Sequence, residues 1–488
     1  MITNNLIIFT FTKPYKECYF PERVNDFIVF EGTLKELCKK VDKGEFIPKL
    51  QASHAPPCKF WTAYAVINGI KHCVPLIHGP TGCTYSVASA YKMYACNYKG
   101  VPVEPTSCTN LNETCIVFGG EGKLYEAAKE AKKKFHPDLI VILSCCCSGI
   151  IGDDVETVAK RVEQEIDTKV VALRSEGFGG DFRSGHEEAF KAIVSLMEPQ
   201  KTKKNTINIV GARVGPTNTE WPQEIDELTK IVEKLGIKIN AIIAGGCTVE
   251  EIRRAPSVEL NVSWCYDWGQ KIGVLMEEQF GVPFSRTGLP YGYKATREWI
   301  LSVAQPMGLE EKAFEVIEEE EAAVKGDIER TQTALQGKTA LIEIAEYPGP
   351  MRALALARMV KEHGGEPIII NLHPYTVKER RPAIDFLVQQ GENPQVILTK
   401  GLFEIGTFSS SSETEKEIEY ISDQYKNGIF FANPLRFPSL PVVNLRTIVS
   451  GPQFGYTGVR NIAYAVERSL KYKTQNRSKL FKEVLYGT

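Results

Sequence analysis

Residues 137–167 read PDLIVILSCCCSGIIGDDVETVAKRVEQEID, and TKVVALRS follows at 168–175. The run Leu139–Ser144 is almost unbroken Leu, Ile and Val. Such a run predicts a strand covered on both faces, as in a parallel sheet. Asp153–Asp167 then spaces its apolar residues at helical period between charges, which predicts an amphipathic helix. A second strand is predicted over TKVVALRS. Parallel neighbours require a crossover of this kind, so the segment sets the class as α/β. Three consecutive cysteines, Cys145, Cys146 and Cys147, stand at the end of the first strand. Carboxyl ends of strands are where such sheets place ligands.

The same grammar extends in both directions. GKLYEAAKEAKKKFHP (122–137) predicts a helix with its lysines outside. After the polar linker EPQKTKKN (198–205), a second unit alternates TINIVGA, EIDELTKIVEKLG, INAIIAGG, VEEIRRA, VELNVSW and WGQKIGVLMEEQFG. Its last helix stops at Gly281, as helices often do. A long charged helical stretch over 309–338 leads to a third unit, TALIEIAE, RALALARMVKEHGG and EPIIINL. The expected organisation is an N-terminal extension (1–50), charged and irregular around one helix-like stretch, GTLKELCKKVDK. Three Rossmann-like α/β domains with parallel sheets follow, over 51–200, 201–335 and 336–488. GTFSSSSETEKE (406–417) reads as a low-complexity surface loop.

Composition excludes several classes. A chain of 488 residues is too long for one core and implies two to four domains. Its 43% hydrophobic and 24% charged residues suit a soluble protein, and a net charge of −2 hides no basic block for nucleic acid. No apolar stretch approaches the ~18 residues of a membrane span. The first residues lack a basic segment and a cleavage motif, so a mature cytoplasmic start is expected.

The 13 cysteines are the first sign of chemistry: eleven lie between Cys18 and Cys147, then only Cys247 and Cys265 follow. An odd count in a chain of cytosolic type argues against a disulfide framework, and crowding of this kind suits metal ligation. Cys58 precedes a predicted helix, Cys83 lies in LIHGPTGCTYS and Cys146 follows a strand. Thiolates converging from several loops suit an iron–sulfur cluster, whereas the wide spacing does not suit a zinc pair. For any one of them a buried apolar thiol is the competing reading. Cys265, alone in SWCYDWG, is either a packed thiol or a single cofactor ligand between domains. His186 follows the glycine-rich EGFGGDFRSG and opens a helix, either as a cap or as a proton donor. Arg352 follows a Gly/Pro turn, either as a surface charge or as an anion or cofactor contact. Asp153 and Asp154 are expected to cap a helix. No GxxxxGK[ST] motif is present, so the chain is not expected to hydrolyse nucleotides itself.

Taken together these segments resemble component 1 of nitrogenases and nitrogenase-like reductases, in order, from about Cys58 onward. HGPTGC (78–83) is similar to HGPxGC, TNLNETCIVFGG (109–120) to TxxxxExDIVFGG, and CCSGIIGDD (146–154) to CxxxxIGDD. SEGFGGDFRSGH (175–186) is similar to CEGFRG with a following GH, and VSGPQFGY (449–456) to YSGPYHGY. LNVSWCYDWGQKIGVLMEEQFGVPF (260–284) resembles the alpha-type segment. The resemblance implies that Cys58, Cys83 and Cys146 hold an eight-iron P-type cluster at a subunit interface. Counting back six residues from Gly152 selects Cys146 from the triplet, and strand alternation sends Cys145 and Cys147 to the opposite side. It implies that Cys265 binds an iron–sulfur(–carbide) cofactor between domains, with His186 and Arg352 beside it.

Three departures follow. The family's second cofactor ligand, a histidine five residues before the serine of the SGP segment, is Leu445 here. An expected arginine is Tyr91, and the loop before GH is shortened to DFRS. A molybdenum or vanadium cap is therefore not expected, and His373 is an alternative second ligand. The implied protein is an alpha-like subunit paired with a beta-like sibling in a heterotetramer, fed electrons by an ATP-dependent iron protein. The altered ligands point to a reductase of small thioethers, of methylthio-alkane type. Alternatives are a cofactor-assembly scaffold, a dinitrogen-reducing nitrogenase and a tetrapyrrole reductase.

Overall fold

The computed structural model describes residues 27–46, 58–94, 106–212, 221–263, 265–343, 350–400, 412–432, 440–444 and 451–471. The first strand, β1 (Ile28–Thr33), is an addition to the sequence reading. It pairs antiparallel with Gln395–Thr399, far along the chain, and so joins the third sheet. The helix after it, Leu34–Asp42, starts at a Thr33–Glu36 capping box.

The first parallel sheet runs β3-β2-β4-β5, with β2 at Cys73–His78, β3 at Ser107–Cys108, β4 at Leu139–Ser144 and β5 at Lys169–Leu173. Every residue of β4 is buried, because both faces are covered. Ile140 and Ile142 meet the helices Glu121–Phe135 and Val155–Ile166 through Leu124, Ala128, Val158 and Val162. Leu139, Val141 and Leu143 face the main core, with Phe60, Ala63, Tyr64, Ala189 and Phe190 of helices Lys59–Ile67 and Phe182–Val194. Burying each such aliphatic side chain contributes about 1.5–3 kcal/mol, which is why the apolar run forms a central strand.

The second parallel sheet runs β7-β6-β8-β9, with β6 at Thr206–Val210, β7 at Lys238–Ile242, β8 at Leu260–Ser263 and β9 at Phe284–Ser285. The third runs β1-β12-β11-β10-β13-β14, with β10 at Thr339–Glu343, β11 at Glu366–Ile370, β12 at Gln395–Thr399, β13 at Ile429–Ala432 and β14 at Val442–Asn444. Only β1 is antiparallel in it. The fold is mixed α/β with parallel sheets, as the sequence predicts. One segment departs from expectation. Residues 412–417 of the predicted loop form the start of helix Ser412–Gln424, while 406–411 lie outside the described residues. Ile418 and Ile421, three apart, bury one face of that helix, and their spacing outweighs the polar composition before them.

In each sheet the chain leaves a central pair of strands in opposite directions: β2/β4, β6/β8 and β10/β13. These are the topological switch points, where loops diverge and leave a crevice.

The first and second units are joined by backbone. Gly246 donates to the Gly69 carbonyl at 2.8 Å and Lys71 to that of Cys247 at 2.8 Å. A Cβ on Gly69 would stand 1.9 Å from the Ala244 carbonyl oxygen. Gly69→Ala should therefore cost about 3 kcal/mol by forcing the two backbones apart. A thermal midpoint equal to that of the parent would refute this.

Candidate metal centres at the sheet switch points

The crevice between β2 and β4 gathers sulfur. Cys58 precedes helix Lys59–Ile67, Cys83 lies in the first turn of helix Thr81–Tyr94, and Cys145 precedes helix Cys146–Ile151. All three expected ligands, Cys58, Cys83 and Cys146, are half-buried free thiols. Gly177 is the pivot for two of them: its N–H donates to Cys146 Sγ at 3.2 Å, and a Cβ there would lie 3.6 Å from Cys58 Sγ. Burial pushes the Cys58 thiol up, while the N–H groups of Trp61 and Phe60 act the other way. Cys83 is pushed down to about 7, because Cys145 hydrogen-bonds its sulfur. Cys145 is shifted far upward by that bond and by its burial.

Strand alternation does not sort the triplet, because β4 ends at Ser144 and Cys146 already begins a helix. Cys145 is buried against Gly79, where a Cβ would stand 2.6 Å from its sulfur. Cys146 instead faces Gly177 and Cys58. Among the described residues no three His, Cys, Asp or Glu converge on a single metal ion. A polynuclear cluster takes its thiolates on different irons, so they converge on the cluster without meeting at any one metal ion.

The frame behind the thiols is polar and buried. His78 Nε2 lies 2.8 Å from Asp153 Oδ2, and Gly120 N–H donates to both oxygens of that carboxylate, at 2.9 and 3.1 Å. Burial pushes the His78 pKa down despite Asp153, so the ring is neutral and Nε2–H donates. Its Nδ1 then takes the Thr109 hydroxyl, 3.2 Å away. Asp153 is thus a clamp between β2 and the IGDD turn, not a cap. Asp154 caps as expected, accepting from Thr157 N–H at 3.1 Å. Ser144 donates to Glu176 at 2.7 Å and holds the Gly177 turn beside Cys146.

The second crevice holds Cys265. It is buried, and it precedes helix Tyr266–Phe280. Burial and then Asp267 push its thiol up to about 12, against the N–H groups of Trp268 and Asp267 and the charge of Arg380. The first turn of this helix touches both other units. Trp268 meets His186 edge-on at 4.4 Å and Phe182 at 5.4 Å. Tyr266 stacks on Phe386 at 4.3 Å, and Asp267 pairs with Arg380 at 3.1 Å. His186 is buried within helix Phe182–Val194 rather than capping it; Asp181 is the cap. Neither Asp267 nor Arg380 was singled out from sequence. Asp267 was visible in SWCYDWG, but nothing local marks Arg380, 115 residues on from Cys265.

Arg352 lies near the third switch point, at the start of helix Pro350–Glu362. Its Nη2 is 3.1 Å from Glu224 Oε1, and its guanidinium lies 6.0 Å from the centre of the Tyr291 ring. Tyr291 donates in turn to Gln453 of the VSGPQFGY segment, at 2.5 Å. The structure thus brings Cys58 beside Cys146, sets His186 against Trp268 three residues after Cys265, and ties Arg352 to Glu224 and Tyr291. Leu445 lies outside the described residues, as does the side chain of Tyr91. His373 caps helix Pro374–Glu379, its Nδ1 accepting from Tyr375 N–H at 3.1 Å.

Residues 58–471 match the model of the nitrogenase component 1 type oxidoreductases, and the chain belongs to that family. It is 34% identical over 319 residues to the nitrogenase molybdenum-iron protein alpha chain of Methanosarcina barkeri, covering 63% of this chain and 58% of that one. It is 30% identical over 325 residues to the nitrogenase iron-molybdenum cofactor biosynthesis protein NifE of Clostridium pasteurianum, covering 64% and 67%. The solved structure "Nitrogenase Cp1 at pH 6.5" shares the fold, with a TM-score of 0.65 at 24% identity over 86% of this chain and 89% of that chain. No helix among the described residues is long and apolar enough to cross a membrane.

Burial pushes the His373 pKa down to about 4 from 6.5. The folded ring stays neutral in that window while the unfolded chain takes up the proton. Stability therefore falls as pH drops from about 6.5 and levels off below about 4. His373→Asn keeps an acceptor for the Tyr375 N–H and removes the titrating ring. Its urea midpoint should fall less steeply between those pH values than the parent's; equal slopes would refute the assignment.

Proposed function

We propose that this chain is the alpha-like catalytic subunit of a nitrogenase-like oxidoreductase. Cys58, Cys83 and Cys146 would hold an iron–sulfur cluster of P type at the interface with a beta-like subunit, in a heterotetramer. Cys265 would bind a more complex iron–sulfur(–carbide) cofactor. The observation that carries the reading is the pairing of two thiol sites with two sheet switch points, one opening outward and one enclosed by all three units.

The donor sets fit these groups. Cysteine is the soft ligand that iron–sulfur centres require, and N–H groups of Gly177, Trp61 and Trp268 lie beside the sulfurs. The outward site is ringed by exposed apolar side chains: Tyr85, Val117, Phe118, Ile150 and Phe178. Phe118 is 83% exposed in the isolated chain. Exposed apolar side chains near these thiols suit burial under a partner. The bound groups would supply one-electron transfer and reduction, with electrons entering from an ATP-dependent iron protein. The polypeptide supplies ligation, N–H contacts and exclusion of water. His186, held edge-on between Trp268 and Phe190, is the proton donor of the reading. Arg352 is retained as a cofactor contact from the second side. Leu445, which cannot ligate, argues against a heterometal cap and for a substrate such as a thioether, reduced at its C–S bond.

A second reading, a scaffold for cofactor assembly, is favoured by the similarity to NifE. Turnover separates the two. The anaerobically purified protein with its iron protein should reduce a small thioether; a preparation loaded with iron that turns over neither a thioether nor dinitrogen would leave the scaffold reading. His186→Asn should slow turnover about 100-fold with iron content unchanged. Cys146→Ala should lose the interface iron and Cys145→Ala should keep it, as read by metal analysis. The reverse pattern would break the ligand assignment.

A further inference from the structure

Arg380 is among the largest fully buried side chains of the molecule, with 1% of its side chain exposed. It lies between helices Pro374–Glu379 and Arg381–Gln389 of the third unit. Its Nη1 is 3.1 Å from Asp267 Oδ2, and Asp267 is itself fully enclosed. The guanidinium lies 4.3 Å from the centre of the Trp268 ring and 5.2 Å from that of Phe182. Asp267 and Trp268 directly follow Cys265, and the charge of Arg380 reaches the Cys265 thiol. Cation and carboxylate therefore stand, both buried, at the first turn of the helix that Cys265 precedes.

The pairing is incomplete. Arg380 Nε and Nη2 have no hydrogen-bond partner among the described residues, and neither has either carboxylate oxygen of Asp267, whose approach to Nη1 is an ion pair without a hydrogen bond. A lone buried ion pair seldom offsets its own desolvation, and unmet buried donors add to the cost. Guanidinium donors form a rigid planar fork suited to anions. Trp268 and Phe182 cover the fork with apolar rings that take no hydrogen bond from its unused edge. An anion outside the polypeptide would satisfy it.

We propose that Arg380 is an anion-holding residue of the Cys265 site. Its Nε–H and Nη2–H grip inorganic sulfide of the iron–sulfur group bound to Cys265, and Asp267 balances the guanidinium charge from the other side. The ligand is sulfide because Asp267 and Trp268 stand on the first turn after Cys265, at the ligating end of whatever that sulfur binds. The inference rests on the reading that Cys265 carries an iron–sulfur group.

The test uses the anaerobically purified holoprotein. The double variant Arg380→Met/Asp267→Asn removes both charges and strands neither. Its thermal midpoint should stay close to the parent's, and its interface iron should be retained. Iron at the Cys265 site should be lost to a chelator about tenfold faster, with a shifted paramagnetic resonance signal, since charge-assisted hydrogen bonds are lost. Should the double variant misfold, Arg380→Lys keeps the ion pair without the fork and should show the same faster loss. Parent-like loss and signal in the folded variant would overturn the inference. Cys265→Ala separates the two levels. If it abolishes the signal while the Arg380 variants match the parent, this inference alone fails. If it leaves signal and iron intact, the Cys265 reading fails and takes this one with it.

Discussion

Parallel pairing is the constraint from which the rest follows. A parallel strand cannot return by a tight turn, so its return is a crossover, which here carries a helix in most cases. Strand carboxyl ends then line up, and helix N-termini gather beside them. Where the order reverses, as between β2 and β4 or β6 and β8, the loops part. The chain places cysteine at these points. Thr33, Asn112, Asp154, Asp181 and Thr248 cap helices with side-chain oxygen, the ordinary choice. Cys58 and Cys265 occupy the same position at their helices and make no side-chain cap hydrogen bond. At both, sulfur is left beside the first N–H groups of a helix, which lower the thiol pKa against the burial that raises it.

Much of this was legible in the sequence because its signals are local. Continuous Val/Ile/Leu runs gave β4, β6, β10 and β11, since strands covered on both faces must be apolar throughout. Amphipathic spacing gave the helices between them. What escaped reading depended on distant partners. β1 is a short run whose mate, β12, lies more than 360 residues away. Asp153 in IGDD resembles a cap, and only the fold brings His78 and Gly120 to it. Cys145, Cys146 and Cys147 are alike in sequence. The turn at Ser144 separates them, and turns shift register in a way that alternation cannot anticipate.

The two thiol sites differ in a way that follows from their surroundings. Cys83 is half-buried, hydrogen-bonded by Cys145, and pushed down to about 7, so its thiolate is accessible near neutrality. Cys265 is enclosed and pushed up to about 12, so its sulfur keeps the proton at neutral pH. A protonated buried thiol is a poor nucleophile and resists oxidation. A soft cation taking that sulfur must displace the proton, and its own charge then replaces the missing stabilisation. On the reading proposed above, the outward site is ready to bind while the inner one stays inert until loaded. The first turn of helix Tyr266–Phe280 is where that difference is built. Trp268, Asp267 and Tyr266 each close it against a different part of the chain, so the burial that raises the thiol also holds the three units together.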